Sequence, residues 1–98
     1  MYDNTNMPRL NMPPLNARTP NEFGAMFRAE REALGMTQQQ VASLVQCRRQ
    51  TIGDLEDGKN VGLVTVFMAL SVIGKTLAIK SNLIELEDIR AHLDDVDD

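Results

Sequence analysis

The sequence predicts a small all-α domain that ends in one short β-strand. Two helix-start signatures follow each other closely, a nearly uncharged apolar segment of helical length comes next, and a six-residue alternating segment follows it. Of the 98 residues, about sixty have the apolar content that a folded core requires. Because a core of this size is marginal, we expect the chain to form a homodimer.

The first helix is predicted to begin after Thr19. Thr19 supplies a capping hydroxyl, a proline follows at the first helical position, and Glu22 lies three residues after the cap, as in a capping box. Apolar residues that include Phe27 and Leu34 then recur at helical spacing and predict the buried face. Gly35 is predicted to end the helix in a left-handed conformation.

Two further helices are predicted immediately downstream. Thr37 and Gln40 repeat the capping-box pattern and predict a second helix over residues 38–45. A third apolar pattern runs over residues 48–57 and stops at the Gly-Lys-Asn that follows.

Residues 63–73, LVTVFMALSVI, are apolar almost all round, which predicts a helix buried on two sides. A strand is the alternative because the segment is rich in β-branched residues, but its length and regular apolar spacing favour a helix. Residues 75–80, KTLAIK, alternate and predict a strand. Since the chain offers no obvious second strand, the same strand of a second copy is the expected partner across a two-fold axis. The residues predicted to pair are Thr76, Leu77, Ala78 and Ile79.

The cysteine and histidine content gives little sign of secretion, metal binding or catalysis. A lone cysteine forms no intramolecular disulfide, the chain starts without the features of a signal peptide, and no apolar segment is long enough to span a bilayer. These observations predict a cytoplasmic protein. Cys47 is predicted to be a buried thiol, with a redox switch as the alternative, and His92 lacks partners at metal-ligand spacing. We predict no cofactor, metal, membrane contact, small-molecule substrate or enzymatic activity.

Residues 37–59, TQQQVASLVQCRRQTIGDLEDGK, resemble the helix-turn-helix of the XRE and Cro/C1-type repressors. The resemblance extends over residues 19–77 and implies a bundle of four or five helices, with residues 19–74 as the DNA-binding domain. It also implies that Arg31 pairs with Glu56. The matching positions are Thr37-Gln38, Val41-Ala42, the turn at Gln46, Ile52 and Leu55-Glu56.

Gln46 departs from this family pattern, which usually has glycine in the turn. A left-handed backbone at a non-glycine residue costs about 1 kcal/mol. The sequence therefore predicts a distorted turn at Gln46.

The segment TPNEFGAMFRAEREALGMTQQQVA, the nearly uncharged fourth helix and the following strand are similar to the HipB antitoxin family. This resemblance implies a repressor that autoregulates its operon, binds a HipA-like Ser/Thr kinase toxin within a type II toxin-antitoxin module, and dimerises partly through its C-terminal strand. A stand-alone XRE-family regulator without a toxin is one alternative. A protein-interaction module that does not read DNA is another.

Arg48 and Arg49 stand where folding alone disfavours them. They are predicted at the cap and the first position of the third helix, where a partial positive charge already resides and where Ser, Thr, Asp or Asn is preferred. A phosphate docking there makes the arginines favourable, whereas the alternative is a merely solvated pair.

The resemblance carries particular roles over to these positions. It implies that an arginine reads guanine, that Gln50 reads adenine, and that Asp54 accepts from cytosine or orients an arginine. The expected target is an inverted-repeat operator in double-stranded DNA, with half-sites about one helical turn apart. The predicted DNA-binding residues are Gln38, Arg48, Arg49, Gln50, Thr51, Asp54, Lys59 and Asn60.

The two ends of the chain differ from the domain in composition. Residues 81–98 contain seven acidic residues and one arginine, a net charge of −6, so the pI of 4.9 reflects this tail and does not argue against a basic patch elsewhere. The tail is predicted to be partly helical or disordered, and docking on a partner, screening of nonspecific DNA binding and solubility remain open as roles. Residues 1–18 are predicted to be a disordered arm, with minor-groove contact as the alternative.

Overall fold

The computed structural model describes residues 16–81, and this range contains four helices and no assigned strand. The all-α prediction is confirmed, and each helix begins and ends within about two residues of its predicted limits. The helices are α1 (Pro20–Ala33), α2 (Gln38–Val45), α3 (Arg49–Glu56) and α4 (Leu63–Val72).

The terminal predictions fall largely outside this range. The predicted arm, residues 1–18, and the predicted acidic tail, residues 81–98, lie outside the described residues except at their inner ends. Residues 75–80 have no regular secondary structure in the single chain. Because a strand is defined by hydrogen bonds to a second strand, the pairing of residues 75–80 across a dimer stays a prediction.

Side-chain caps start the first two helices. The Thr19 hydroxyl accepts a hydrogen bond from the Glu22 N–H at 3.1 Å, while the Glu22 carboxylate accepts from the Arg18 N–H at 2.6 Å rather than from Thr19. At Thr37 the capping box is complete, since its hydroxyl accepts from the Gln40 N–H at 3.0 Å and its own N–H donates to the Gln40 side chain at 2.8 Å. These caps satisfy helix N–H groups that otherwise lack partners.

All four helices end in the same way, with a residue in the left-handed conformation. Three of these residues are Gly35, Gly58 and Gly74, with φ of 73°, 78° and 72°, and the fourth is Gln46, with φ of 67°. In each case the next residue donates its N–H to the carbonyl five positions earlier, at 2.8 to 3.2 Å. This is the Schellman arrangement, which satisfies carbonyls at the end of the helix.

The turn at Gln46 keeps regular left-handed geometry, with φ 67° and ψ 46°, so the predicted distortion is absent and only the cost of a side chain in this conformation remains. We expect Gln46→Gly to raise the free energy of unfolding by about 0.5 to 1 kcal/mol, because glycine removes that cost but gains entropy in the unfolded chain. Urea unfolding at fixed protein concentration measures the change. Gln39→Gly, an exposed position inside α2, serves as the control and should lose about 1 kcal/mol. A destabilised Gln46→Gly would contradict the argument.

The core lies between all four helices, and α1 and α3 approach each other most closely. Gly24 of α1 lies directly against the main chain of Leu55 and Glu56 in α3. Leu34, predicted on the buried face of α1, is 55% exposed, because the helix ends just before it and the chain turns away. The buried apolar residues are Phe27, Val41, Ala42, Val45, Ile52, Leu55, Ala69, Leu70 and Ile73.

Helix α4 is buried on one side only in the single chain. Its inner side packs into the core through Ala69 and Leu70. Its other side presents an exposed apolar surface, which we call the α4 outer face. The prediction of a helix buried on two sides therefore requires a second molecule to cover this surface. The α4 outer face consists of Leu63, Val64, Phe67 and Met68.

No helix within residues 16–81 has both the length and the apolar character needed to cross a membrane.

Candidate nucleic-acid interface

The predicted DNA-binding residues lie on α3, at the first position of α2, and in the loop that follows α3. The α3 N-terminus and the loop present fully exposed side chains, whereas residues between them are partly covered by neighbouring helices. The exposed members are Arg48, Arg49, Gln50, Lys59 and Asn60, and the half-buried members are Gln38, Thr51 and Asp54.

The N-terminus of α3 has no side-chain cap. Arg48 occupies the cap position with extended φ and ψ, as predicted, but its side chain makes no capping hydrogen bond, and the first turn contains no acidic residue. Arg49 is the first helical residue. The end of the helix thus combines N–H groups that lack a side-chain partner, the positive end of the helix dipole and two exposed guanidinium groups. An anion docking there would satisfy all three features.

A chain of hydrogen bonds runs from the core to Arg49. The Arg31 guanidinium donates to the Met36 carbonyl at 2.7 Å and to both carboxylate oxygens of Glu56, at 2.6 and 3.0 Å. The Gln38 Nε2 also donates to Glu56, at 3.0 Å, and the Gln38 Oε1 accepts from the Arg49 Nη1 at 2.8 Å. We call this chain of contacts from Arg31 to Arg49 the polar ladder. It links α1, α2 and α3 and brings two predicted site residues, Gln38 and Arg49, into contact.

The inner end of the polar ladder is a buried ion pair. Arg31 is 7% exposed and Glu56 is 8% exposed. The hydrogen bonds to Glu56 raise the pKa of Arg31 above its ordinary value, against the opposing effect of burial. Arg31, expected from its helix position to face outward or sideways, instead turns inward and makes the pair with Glu56 that the family resemblance implied.

A second group of site residues lies one turn further along α3. The Gln50 Nε2 donates to the Asp54 carboxylate at 2.8 Å, and the Lys59 Nζ lies 4.0 Å from the same carboxylate oxygen. Asp54 therefore orients a glutamine rather than an arginine. With the other described residues, the side chains of Arg48, Thr51 and Asn60 form no hydrogen bonds.

The sequence did not single out Gly53, which belongs to this surface. A Cβ added there would lie 3.9 Å from both polar atoms of the Gln38 amide, so the side chain of Gln38 crosses α3 over Gly53. The available signal was the glycine itself, because glycine inside a helix costs about 0.5 to 1 kcal/mol relative to alanine.

Cys47 is half-buried beside the turn, and burial raises the pKa of its thiol above the ordinary value. The thiol form is therefore favoured, which weakens the redox-switch alternative. In the described part of the chain, no three His, Cys, Asp or Glu side chains come together as a metal site.

Comparison with known proteins agrees with this architecture. A family model described as a helix-turn-helix domain matches residues 22–69, from α1 into α4. A chain of the HipB-O4 20mer complex has 20% sequence identity and a TM-score of 0.64, over 69% of this chain and 97% of that one. A chain of the HipA-HipB-O2-O3 complex has 20% identity and a TM-score of 0.65, over 70% of this chain and 99% of that one. No protein of curated function matches this chain in sequence.

The fold and the surface around α3 define the class of protein, a DNA-binding regulator built on a helix-turn-helix domain. More particularly, it is a HipB-like helix-turn-helix protein of the XRE type, sharing the HipB fold over most of its length.

Proposed function

We propose that this protein is a dimeric, sequence-specific transcriptional repressor that reads an inverted-repeat operator through α3. The observation that carries the proposal is the uncapped N-terminus of α3, where Arg48 and Arg49 are exposed. Folding alone would select a capping residue and an acidic first turn at this end, whereas a DNA phosphate supplies the missing negative charge. Lys59 and Asn60 are exposed beyond the other end of α3 and would hold the DNA backbone.

We further propose that the protein is the antitoxin of a type II toxin-antitoxin module and binds a HipA-like kinase toxin. Support comes from the resemblance in sequence to the HipB family and from the shared fold with a chain of the HipA-HipB-O2-O3 complex. A kinase-like protein encoded beside this gene and copurifying with the chain is the expected result. Its absence would leave the stand-alone regulator as the function.

Homodimerisation is supported by the α4 outer face. Val64 is 73% exposed and Leu63 68%, and surfaces of this kind on a small domain usually mark an interface. Leu77 and Ile79, in the predicted pairing segment, are also exposed. A second copy covering both surfaces would supply the burial that a domain of this size lacks.

For DNA binding, we expect Arg49→Ala to weaken operator affinity by about 1 to 3 kcal/mol and to relax specificity, because the side chain is placed to contact base edges. Lys59→Ala should weaken binding to all duplexes about equally and reduce the salt dependence, as loss of a phosphate contact does. Fluorescence anisotropy with the promoter of its own gene and with random duplexes, over a range of salt concentrations, separates the two effects. If neither variant loses affinity, the protein does not read DNA through this surface.

For dimerisation, we expect Val64→Glu to weaken the homodimer by at least about tenfold, because the symmetric interface would bury two unpaired carboxylates. Leu44→Glu is the matched control, since Leu44 is an exposed apolar residue on α2 away from this face, and it should remain dimeric. Deletion of residues 75–98 should yield monomers in analytical ultracentrifugation. A deleted chain that stays dimeric would refute strand pairing.

A further inference from the structure

We propose that Arg49 reads a guanine in each operator half-site and that Gln38 is a positioning residue that holds Arg49 for this contact. The inference rests on the proposed function, because it requires that α3 reads DNA. It assigns different roles to two side chains that the sequence placed together in one set of DNA contacts.

The Gln38 amide has a fixed orientation. Glu56 accepts two hydrogen bonds from the Arg31 guanidinium, an arrangement that requires an ionised carboxylate, so the group facing it must be a donor. The Gln38 Nε2 fills that position at 3.0 Å, and the Oε1 consequently faces Arg49. Both ends of the amide are engaged within the protein, which directs Gln38 toward Arg49 rather than toward a base.

Arg49 keeps most of its hydrogen-bonding capacity. Its Nη1 donates to Gln38 at 2.8 Å, and a guanidinium has five N–H groups in a planar fork. The remaining donors suffice for a bidentate contact with guanine O6 and N7. Because one nitrogen is already held, less side-chain entropy is lost when the base is bound.

The neighbouring glutamine shows that this link is specific to Gln38. Gln39 is exposed, and its Nε2 donates at 3.1 Å to the Ser43 hydroxyl on its own helix. It makes no contact with α3 among the described residues. Gln38 and Gln39 are therefore a matched pair, alike in chemistry and adjacent in sequence, of which only one belongs to the polar ladder.

Selection of bound duplexes from a randomised library, followed by sequencing, tests the proposal with the full-length chain. The wild type should enrich a motif with guanine at one position of each half-site. Arg49→Ala should lose about 10- to 100-fold of the preference at that position and keep the others. Arg49→Lys should bind with nearly unchanged salt dependence but lose the same preference, because an ammonium lacks the planar fork.

Gln38→Met should weaken the preference at the same position severalfold, whereas Gln39→Met should leave it unchanged, whatever its total affinity. In an Arg49→Ala background, Gln38→Met should add nothing, a result that loss of structure would not produce. A wild type that enriches no motif overturns the proposed function and this inference together. A wild-type motif whose guanine preference survives Arg49→Ala, or is unaffected by Gln38→Met, overturns this inference alone.

Discussion

Gly24→Ala is expected to lower the free energy of unfolding by about 3 kcal/mol or more, which a domain of this size cannot lose without substantial unfolding. A Cβ at this position would lie 2.5 Å from the Leu55 carbonyl oxygen and 2.7 Å from the carbonyl carbon of Glu56. Both obstacles are main-chain atoms of α3, so no side-chain rotation relieves them. The helices must separate, and separation opens the packing around the buried Phe27.

Gly53→Ala is the matched control, because it makes the same chemical change inside another helix. The nearest atoms to its added Cβ belong to the Gln38 side chain at 3.9 Å, an ordinary contact. Alanine should therefore raise stability by about 0.5 to 1 kcal/mol through its better helix propensity. Urea unfolding followed by circular dichroism, at fixed protein concentration, should give opposite signs for the two variants. A small loss for Gly24→Ala would mean that α1 and α3 do not cross this closely.

The helix limits were predictable from sequence because local chemistry sets them. Thr19 and Thr37 start helices through hydroxyls that accept hydrogen bonds from N–H groups three residues ahead. Gly35 and Gly58 end helices through left-handed backbone. Signals of this kind lie within a few residues of the feature they determine, so one sequence suffices to identify them.

Contacts between helices were not predictable in the same way. A glycine inside α1 indicates a cost but does not reveal that Gly24 faces the main chain of α3. Helical spacing placed Arg31 away from the core, whereas a carboxylate 25 residues later draws it inward, and only family resemblance indicated that partner. The contact between Gln38 and Arg49 likewise depends on how α2 crosses α3.

The predicted strand marks a different limit. The alternation of residues 75–80 is a local pattern, but its pairing requires atoms of another chain. The apolar outer face of α4 has the same origin, because its composition suits burial that the single chain does not provide. Both features point to the homodimer, and the variants of Val64 and of residues 75–98 test it directly.

The second large expected effect is at Glu56. Glu56→Ala should destabilise the domain by about 3 to 5 kcal/mol, because it leaves the Arg31 guanidinium 7% exposed without a counter-charge. Arginine cannot escape this cost by losing its proton. Denaturant unfolding at fixed protein concentration measures the loss, and a change below about 1 kcal/mol would contradict the assignment of a buried ion pair.

A double variant separates the stability of the ion pair from its role in DNA reading. Arg31→Met combined with Glu56→Leu replaces two buried charges with apolar side chains of similar size, which is often neutral or stabilising, so most of the stability lost in Glu56→Ala should return. The double variant still lacks the carboxylate that orients the Gln38 amide at 3.0 Å. It should therefore fold normally yet show the same weakened guanine preference as Gln38→Met. A folded double variant with wild-type preference would show that Arg49 is positioned without the ladder, and that Glu56 serves the fold alone.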